Sequence, residues 1–199
     1  MKIIKKDMAK NTYLILDTET NGIGTFRPAK QRVIQWSWIT SDGEERNYFI
    51  KDGAEQISPS VPHDITLDTL LNHGTPFDVV YSQFISDVSK FKSIVAHNAI
   101  FDMGCLRNEL KLRNYPPEEI EEFRNIPIFC TMNKTVQYCA IPMKSKTGKV
   151  YKNYKWPRLD ELYFKLFQSE PDAKLHDSLE DCKVLKKCYD ECLERKLFS

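Results

Sequence analysis

Apolar residues run without a break from Tyr13 to Leu16 and lead directly into Asp17-Thr18-Glu19. Such a run, closed by the turn signal Asn21-Gly22-Ile23-Gly24, predicts a strand buried on both faces. Val33 to Thr40 (VIQWSWIT) alternates, with Ile34, Trp36 and Trp38 on one face. Arg46 to Lys51 reads as its partner across the Ser41-Asp42-Gly43 turn, so the first half of the chain predicts an antiparallel meander of three strands. Pro59 and Pro62 break the pattern. Helical spacing follows over Thr66 to His73 and over Phe77 to Phe91, the latter with Phe77, Val80, Phe84, Val88 and Phe91 on one stripe.

Ser93 to His97 is a short apolar strand, and Asn98 reads as the N-cap of a helix reaching about Arg113. Phe101, Cys105 and Leu106 share a face of that helix, which places Asp102 at the edge of the core. Glu118 to Glu122 is an acidic stretch expected to face water. Ile126 to Cys130 reads as an edge strand, followed by a short helix from about Thr131 to Ala140. A further helix carries the stripe Leu159, Leu162, Tyr163, Leu166 and Phe167 after Pro157. In the last segment Asp177 and Glu180 form a capping-box pattern, so the final helix starts there. His176 then lies just outside it and Asp181 in its first turn. Inside one helix the two would stand about 140° apart, whereas from the preceding loop His176 can converge with Asp181.

Composition narrows the class. At 199 residues, with 41% hydrophobic and 29% charged content, the chain reads as one domain spanning 1–199. A net charge of +1 announces no polyanion partner, so only local patterns can. No apolar run is long enough to span a membrane, and MKIIKKDMAK lacks the apolar core of a signal peptide, so a cytoplasmic protein is expected. The six cysteines include no CxxC pair, which speaks against a zinc ribbon or a thioredoxin-like site and for reduced, buried thiols. Cys182, Leu185, Cys188, Tyr189 and Cys192 fit the apolar side of one helix. Lys144 to Arg158 carries six basic residues and no acidic one, interleaved with Tyr151, Tyr154 and Trp156. That is the pattern of a groove that tracks a phosphate backbone and stacks bases, and equally of an exposed loop anchored by its aromatics.

Asp17 and Glu19 share one face of the first strand, since side chains alternate. Two like charges at the end of a buried strand repel and would each tend to take up a proton, so a cation is the natural compensation. Paired carboxylate oxygens suit Mg²⁺ or Mn²⁺ better than zinc.

Taken together, Asp17-x-Glu19, His97-Asn98-x-x-Phe101-Asp102 and His176 with Asp181 resemble the DnaQ-like, DEDD-type 3′-to-5′ exonucleases in the branch with a histidine. The resemblance covers nearly the whole chain and includes Lys155-Trp156-Pro157-Arg158-Leu159-x-Glu161-Leu162-Tyr163. It is similar in feel to small stand-alone bacterial exonucleases related to a polymerase proofreading subunit. The resemblance implies an α/β, RNase H-like mixed five-stranded sheet: the three-stranded meander plus two further strands, flanked by helices. It implies that Asp17, Glu19, Asp102 and Asp181 hold two divalent cations, that His176 is the general base, and that Thr18, Asn98 and Phe101 contact the terminal nucleotide. The product would be a nucleoside 5′-monophosphate released from a single-stranded or frayed 3′ end. The proofreading likeness favours DNA, with RNA 3′-end trimming or non-catalytic end binding as the alternatives. Where many members carry His-Gly-Ile-Thr, this chain has His63-Asp64-Ile65-Thr66, an added carboxylate near the expected substrate path. The 18 residues after Asp181 predict no dedicated polymerase-binding arm, and a homodimer is one state the resemblance allows.

Overall fold

The computed structural model describes residues 12–22, 31–145 and 147–198. Its central sheet is formed by β1 (Tyr13–Thr20), β2 (Val33–Thr40), β3 (Glu45–Phe49), β4 (Ser93–Ala96) and β5 (Ile128–Cys130), in the order β3-β2-β1-β4-β5. β2 pairs antiparallel with both β1 and β3, while β4 pairs parallel with both β1 and β5. This is the mixed sheet expected, a meander extended by two parallel strands. The expected edge strand is β5.

The alternation of β1 divides the core in two. Leu14 and Leu16 join Trp36, Trp38, Ile94 and Ala96 under α2 (Phe77–Val88) and α3 (Ala99–Leu112). Tyr13 and Ile15 point the other way, with Val95, onto Cys182, Leu185 and Tyr189 of α8 (Ser178–Glu194). All eight residues of β2 are buried, which is why its sequence is apolar beyond simple alternation. The tryptophans are locked by Phe84, whose ring centroid lies 4.6 Å from that of Trp36 and 5.4 Å from that of Trp38. Each large apolar side chain removed from water here contributes on the order of 1.5–3 kcal/mol. A third cluster packs Leu162 and Leu166 of α7 (Leu159–Phe167) on Val184, Cys188 and Cys192, so the cysteine-bearing side of α8 serves two layers. The six thiols are all free, and five are buried.

Several boundaries differ from the sequence reading. β3 ends at Phe49, with Ile50 making only an isolated bridge to Thr75. α2 stops at Val88, so Phe91 packs on the core from the following turn. The acidic stretch sits on a helix, α4 (Pro117–Arg124), which anchors through Phe123. The helix expected over 131–140 is two short ones, α5 (Thr131–Lys134) and α6 (Val136–Cys139), divided at Thr135, whose hydroxyl bonds back to the Thr131 carbonyl at 2.9 Å. The basic aromatic segment forms a hairpin, β6 (Pro142–Lys144) with β7 (Val150–Tyr154). A short helix α1 (Leu67–His73) begins at Thr66, whose side chain accepts from the Thr69 amide. Ile23 and Gly24 of the predicted first turn, and the MKIIKKDMAK stretch, lie outside the described residues. Among the described residues no helix is long and apolar enough to cross a membrane.

Candidate active site

The end of β1 serves both helical layers with three consecutive residues. Asp17 and Glu19 continue the Tyr13 and Ile15 face toward α8, while Thr18 continues the Leu14 and Leu16 face toward α3. Thr18 is buried there, and its hydroxyl and amide both donate to Asp102 Oδ1, at 2.8 and 3.2 Å. Thr18 thereby positions a carboxylate and has no hydroxyl proton left for another acceptor. Asp102 reaches the strand end because β4, parallel to β1 and adjacent to it, runs straight into α3 and puts Asp102 in the first turn, 3% exposed.

The junction is Asn98. It occupies the cap position but does not cap: its backbone is left-handed (φ 69°), its side chain makes no capping hydrogen bond, and it is exposed. Asparagine tolerates that conformation better than most residues. Its amide is left facing solvent at the rim. Phe101 is partly buried and packs on the core beneath.

On the opposite layer, polar residues of β2 pin the start of α8. Gln35 Nε2 donates to Asp177 Oδ2 at 3.0 Å, the Ser178 amide donates to Gln35 Oε1 at 3.2 Å, and the Ser37 and Ser178 hydroxyls meet at 2.6 Å. Asp177 Oδ1 accepts the Leu179 and Glu180 amides, a cap as expected. The reciprocal half of the capping box is absent, because Glu180 pairs with Lys183 at 2.9 Å instead. This start turns His176 into a left-handed conformation (φ 72°), outside the helix, with its amide donating to Asp181 Oδ2 at 3.1 Å. Glu19, His176 and Asp181 then present ligand atoms that all lie within 4.8 Å of one another.

The electrostatics of this cluster are unbalanced. Burial, and then the charges of Asp102, Asp181, Glu19 and Asp177, hold Asp17 well above the usual carboxylate range. Burial and then Asp181, Asp102 and Asp177 push Glu19 up to about 8. Burial raises Asp102 to about 7 against the pull of its Thr18 hydrogen bonds. Asp181 rises to about 6, again through burial, against the bond from the His176 amide. Among the described residues no lysine or arginine pairs with any of the four. Asp181 Oδ1 is moreover buried with no hydrogen-bond partner. Hard oxygen donors, mutual repulsion and an orphaned carboxylate oxygen together fit divalent cations, whose charge would remove all three costs.

Two features escaped the sequence reading. Asp177 is a fifth carboxylate in the field of Asp17 and Glu19, legible beforehand only as a cap. His97 joins β4 to the segment before α7: Nε2 donates to the Pro157 carbonyl and Nδ1 meets Thr131 Oγ1, both at 2.9 Å. The added carboxylate of Asp64 stands exposed and is paired with Lys174, while its neighbour His63 is buried and bonded to the Thr20 carbonyl at 2.9 Å.

A mixed RNase H-like sheet with carboxylates and a histidine gathered at the ends of β1 and β4 accords with a nuclease of the exonuclease class. The family profile RNase T, described as exonuclease, matches residues 14–189, and the chain belongs to that family of DnaQ-like exonucleases. Among solved structures, product-bound exonuclease I superposes with a TM-score of 0.68 at 18% identity, covering 96% of this chain and 45% of that one. Exonuclease I from E. coli in complex with a 5cy-dT13 oligonucleotide gives 0.66 at 20% identity, covering 96% and 42%. Cell-death related nuclease 4 (CRN-4) gives 0.64 at 18% identity, covering 92% and 64%. At these identities the likeness is one of fold, and this chain spans less than half the length of exonuclease I. No curated protein matches the chain significantly.

Proposed function

We propose that this chain is a single-domain, metal-dependent 3′-to-5′ exonuclease that releases nucleoside 5′-monophosphates from single-stranded or frayed ends, with DNA as the favoured polymer. The observation that carries the reading is the convergence of Asp17, Glu19, Asp102, Asp181 and His176 from both helical layers onto one strand end. Asp17, Glu19, Asp102 and Asp181 would hold two Mg²⁺ or Mn²⁺ ions. When bound, such a pair offsets the charge that develops on the attacking and leaving oxygens of an in-line phosphodiester displacement.

The protein's own groups do the rest. His176, exposed beside Glu19 and Asp181, accepts the proton of the attacking water as that oxygen bonds to phosphorus and the bond to the 3′ oxygen breaks, the departing 3′ oxygen taking a proton from solvent water. Thr18 holds Asp102 in place. Asn98 offers its free amide, and Phe101 a ring edge, to the terminal nucleotide. The exonuclease I complexes with dT13 and dA16 support a DNA strand in a site of this fold. An end-binding module without catalysis would be favoured by a missing acidic group, and here all four are present.

The test is incubation of 5′-labelled single-stranded DNA and RNA of one sequence with Mg²⁺, for wild type and Asp17→Ala. A ladder descending by single nucleotides, with unlabelled 5′-monophosphates accumulating, is expected from wild type only. Early release of the label as a mononucleotide would reverse the polarity, and an unchanged ladder from the variant would discard the site.

A further inference from the structure

The hairpin β6–β7 and the residues that follow it are not used by the chemistry above, yet their composition is unusual for a free surface. Every residue of β6 and of β7 is exposed. Tyr151 is 48% exposed, Tyr154 41% and Trp156 64%, although Trp36 and Trp38 of the same chain are completely buried. Aromatic rings with no packing partner are costly to leave in water. An isolated two-stranded hairpin is marginal in its own right, and this one is closed at its base, where the Lys155 amide donates to the Ile141 carbonyl at 2.9 Å.

Charge follows the same division. At the base Lys155 pairs with Glu161 at 2.5 Å and Arg158 with Asp160 at 2.7 Å, so those two cations hold the hairpin to α7. Toward the tip Lys144, Lys149 and Lys152 have no acidic partner among the described residues. Among the described residues the hairpin therefore carries lysines with no acidic partner and rings with no aromatic or cationic partner on one exposed ribbon.

Its position relative to the strand ends is fixed. Pro157 is buried, and its carbonyl receives His97 Nε2 at 2.9 Å, one residue before Asn98 at the rim. Trp156 is thus one residue from a fixed point beside the site, and Tyr154 no more than about 10 Å of extended chain from it.

We infer that this hairpin is a binding platform for single-stranded nucleic acid, taking the nucleotides that trail behind the terminal one. Tyr151, Tyr154 and Trp156 stack on bases, and Lys144, Lys149 and Lys152 meet the phosphates between them. An acidic peptide would satisfy the lysines but leave three rings without a stacking partner, and a duplex keeps its base faces covered. The inference deepens the exonuclease reading and rests on it for the direction of the strand.

Two variants test it, Lys144→Gln/Lys149→Gln/Lys152→Gln and Tyr151→Ala/Tyr154→Ala/Trp156→Ala, all at exposed positions. Binding of 5′-fluorescein dT20 and rU20 is measured by anisotropy in EDTA, at several salt concentrations. Cleavage of dT20 and of thymidine 5′-monophosphate p-nitrophenyl ester is measured with Mg²⁺. Each variant is expected to bind the 20-mers at least roughly tenfold more weakly, as lost stacking or phosphate contacts require. The lysine variant should also flatten the salt slope by about 2. KM on dT20 rises with kcat little changed, and hydrolysis of the small ester stays at the wild-type rate. Binding within twofold of wild type in both variants would overturn the assignment, as would an equal loss on ester and polymer. Should wild type cleave neither substrate, the exonuclease reading fails while the anisotropy result still decides the platform.

Discussion

Thr18 gives both its hydroxyl and its amide to one oxygen of Asp102, a residue 84 positions away in the chain. A strand residue and a helix residue from different supersecondary units are thereby fixed to each other at the point where the chemistry is proposed. Hydrogen bonds to charged groups are worth roughly 1.5–3 kcal/mol. Thr18→Val should therefore lower kcat on a labelled oligonucleotide roughly ten- to hundredfold, with Thr18→Ser near wild type. Equal rates for Val and Ser would remove the positioning role.

The crowded carboxylates make the metal-free protein pH-sensitive in a defined direction. Glu19, Asp102 and Asp181 have folded pKa values raised to about 8, 7 and 6, against an unfolded carboxylate range of ~4. The folded state holds protons that the unfolded state has released, so this contribution is fully present below ~pH 4 and is lost as pH rises toward about 8. In EDTA the melting temperature should fall between pH 5 and 8, and Mg²⁺ or Mn²⁺ should restore it. Asp102→Asn keeps an acceptor for Thr18 and removes a charge, so its metal-free melting temperature at pH 8 should exceed that of wild type while cleavage is lost. A melting temperature independent of pH and of metal would contradict the charge balance described.

In the proposed mechanism His176 is the proton acceptor, and as an exposed residue it lends the fold no buried support. His176→Ala should lower kcat by about 10²- to 10⁴-fold, leave KM near its wild-type value and leave the melting temperature in EDTA unchanged. Rescue of turnover by added imidazole would strengthen the assignment, and a wild-type kcat would end it.

Glu109 tests the scaffold apart from the site. Its carboxylate is completely buried, accepts from Arg32 Nε at 2.8 Å, from the Val33 amide at 2.9 Å and from Arg113 Nε at 3.2 Å, and ties α3 to the start of β2. Glu109→Ala leaves the buried Val33 amide without its acceptor and both guanidinium groups with Asp52 as a remaining one, so urea unfolding should show a loss of about 1–3 kcal/mol. A loss below about 1 kcal/mol would mean that water replaces the carboxylate.

What the sequence made legible follows from where the signals are local. The bounds of β2 and the stripe of α2 rest on side-chain periodicity, and the start of α8 rests on a cap one residue from the helix; all were readable within a ten-residue window. The five residues of the candidate site drew notice because their types are rare in those settings. Glu109 was not, since a glutamate on a helix reads as solvated until Arg32 and Val33 arrive from another element. Asn98 takes the N-cap position as expected but makes no capping bond, because asparagine favours both capping and left-handed backbone and only the folded junction chooses between them. The hairpin was hidden because nothing apolar alternates against a core there: every residue of its two strands faces out.

The alternation of β1 has a consequence for how the enzyme is made. Sliding the first strand by one residue against β2 would send Thr18 to the layer of α8 and turn the flanking acids toward α3, so correct pairing and assembly of the centre are a single event. A molecule with the acids flipped to the wrong layer is expected to be compact and yet inert, and one extra residue inserted between Leu16 and Asp17 would manufacture that species on purpose.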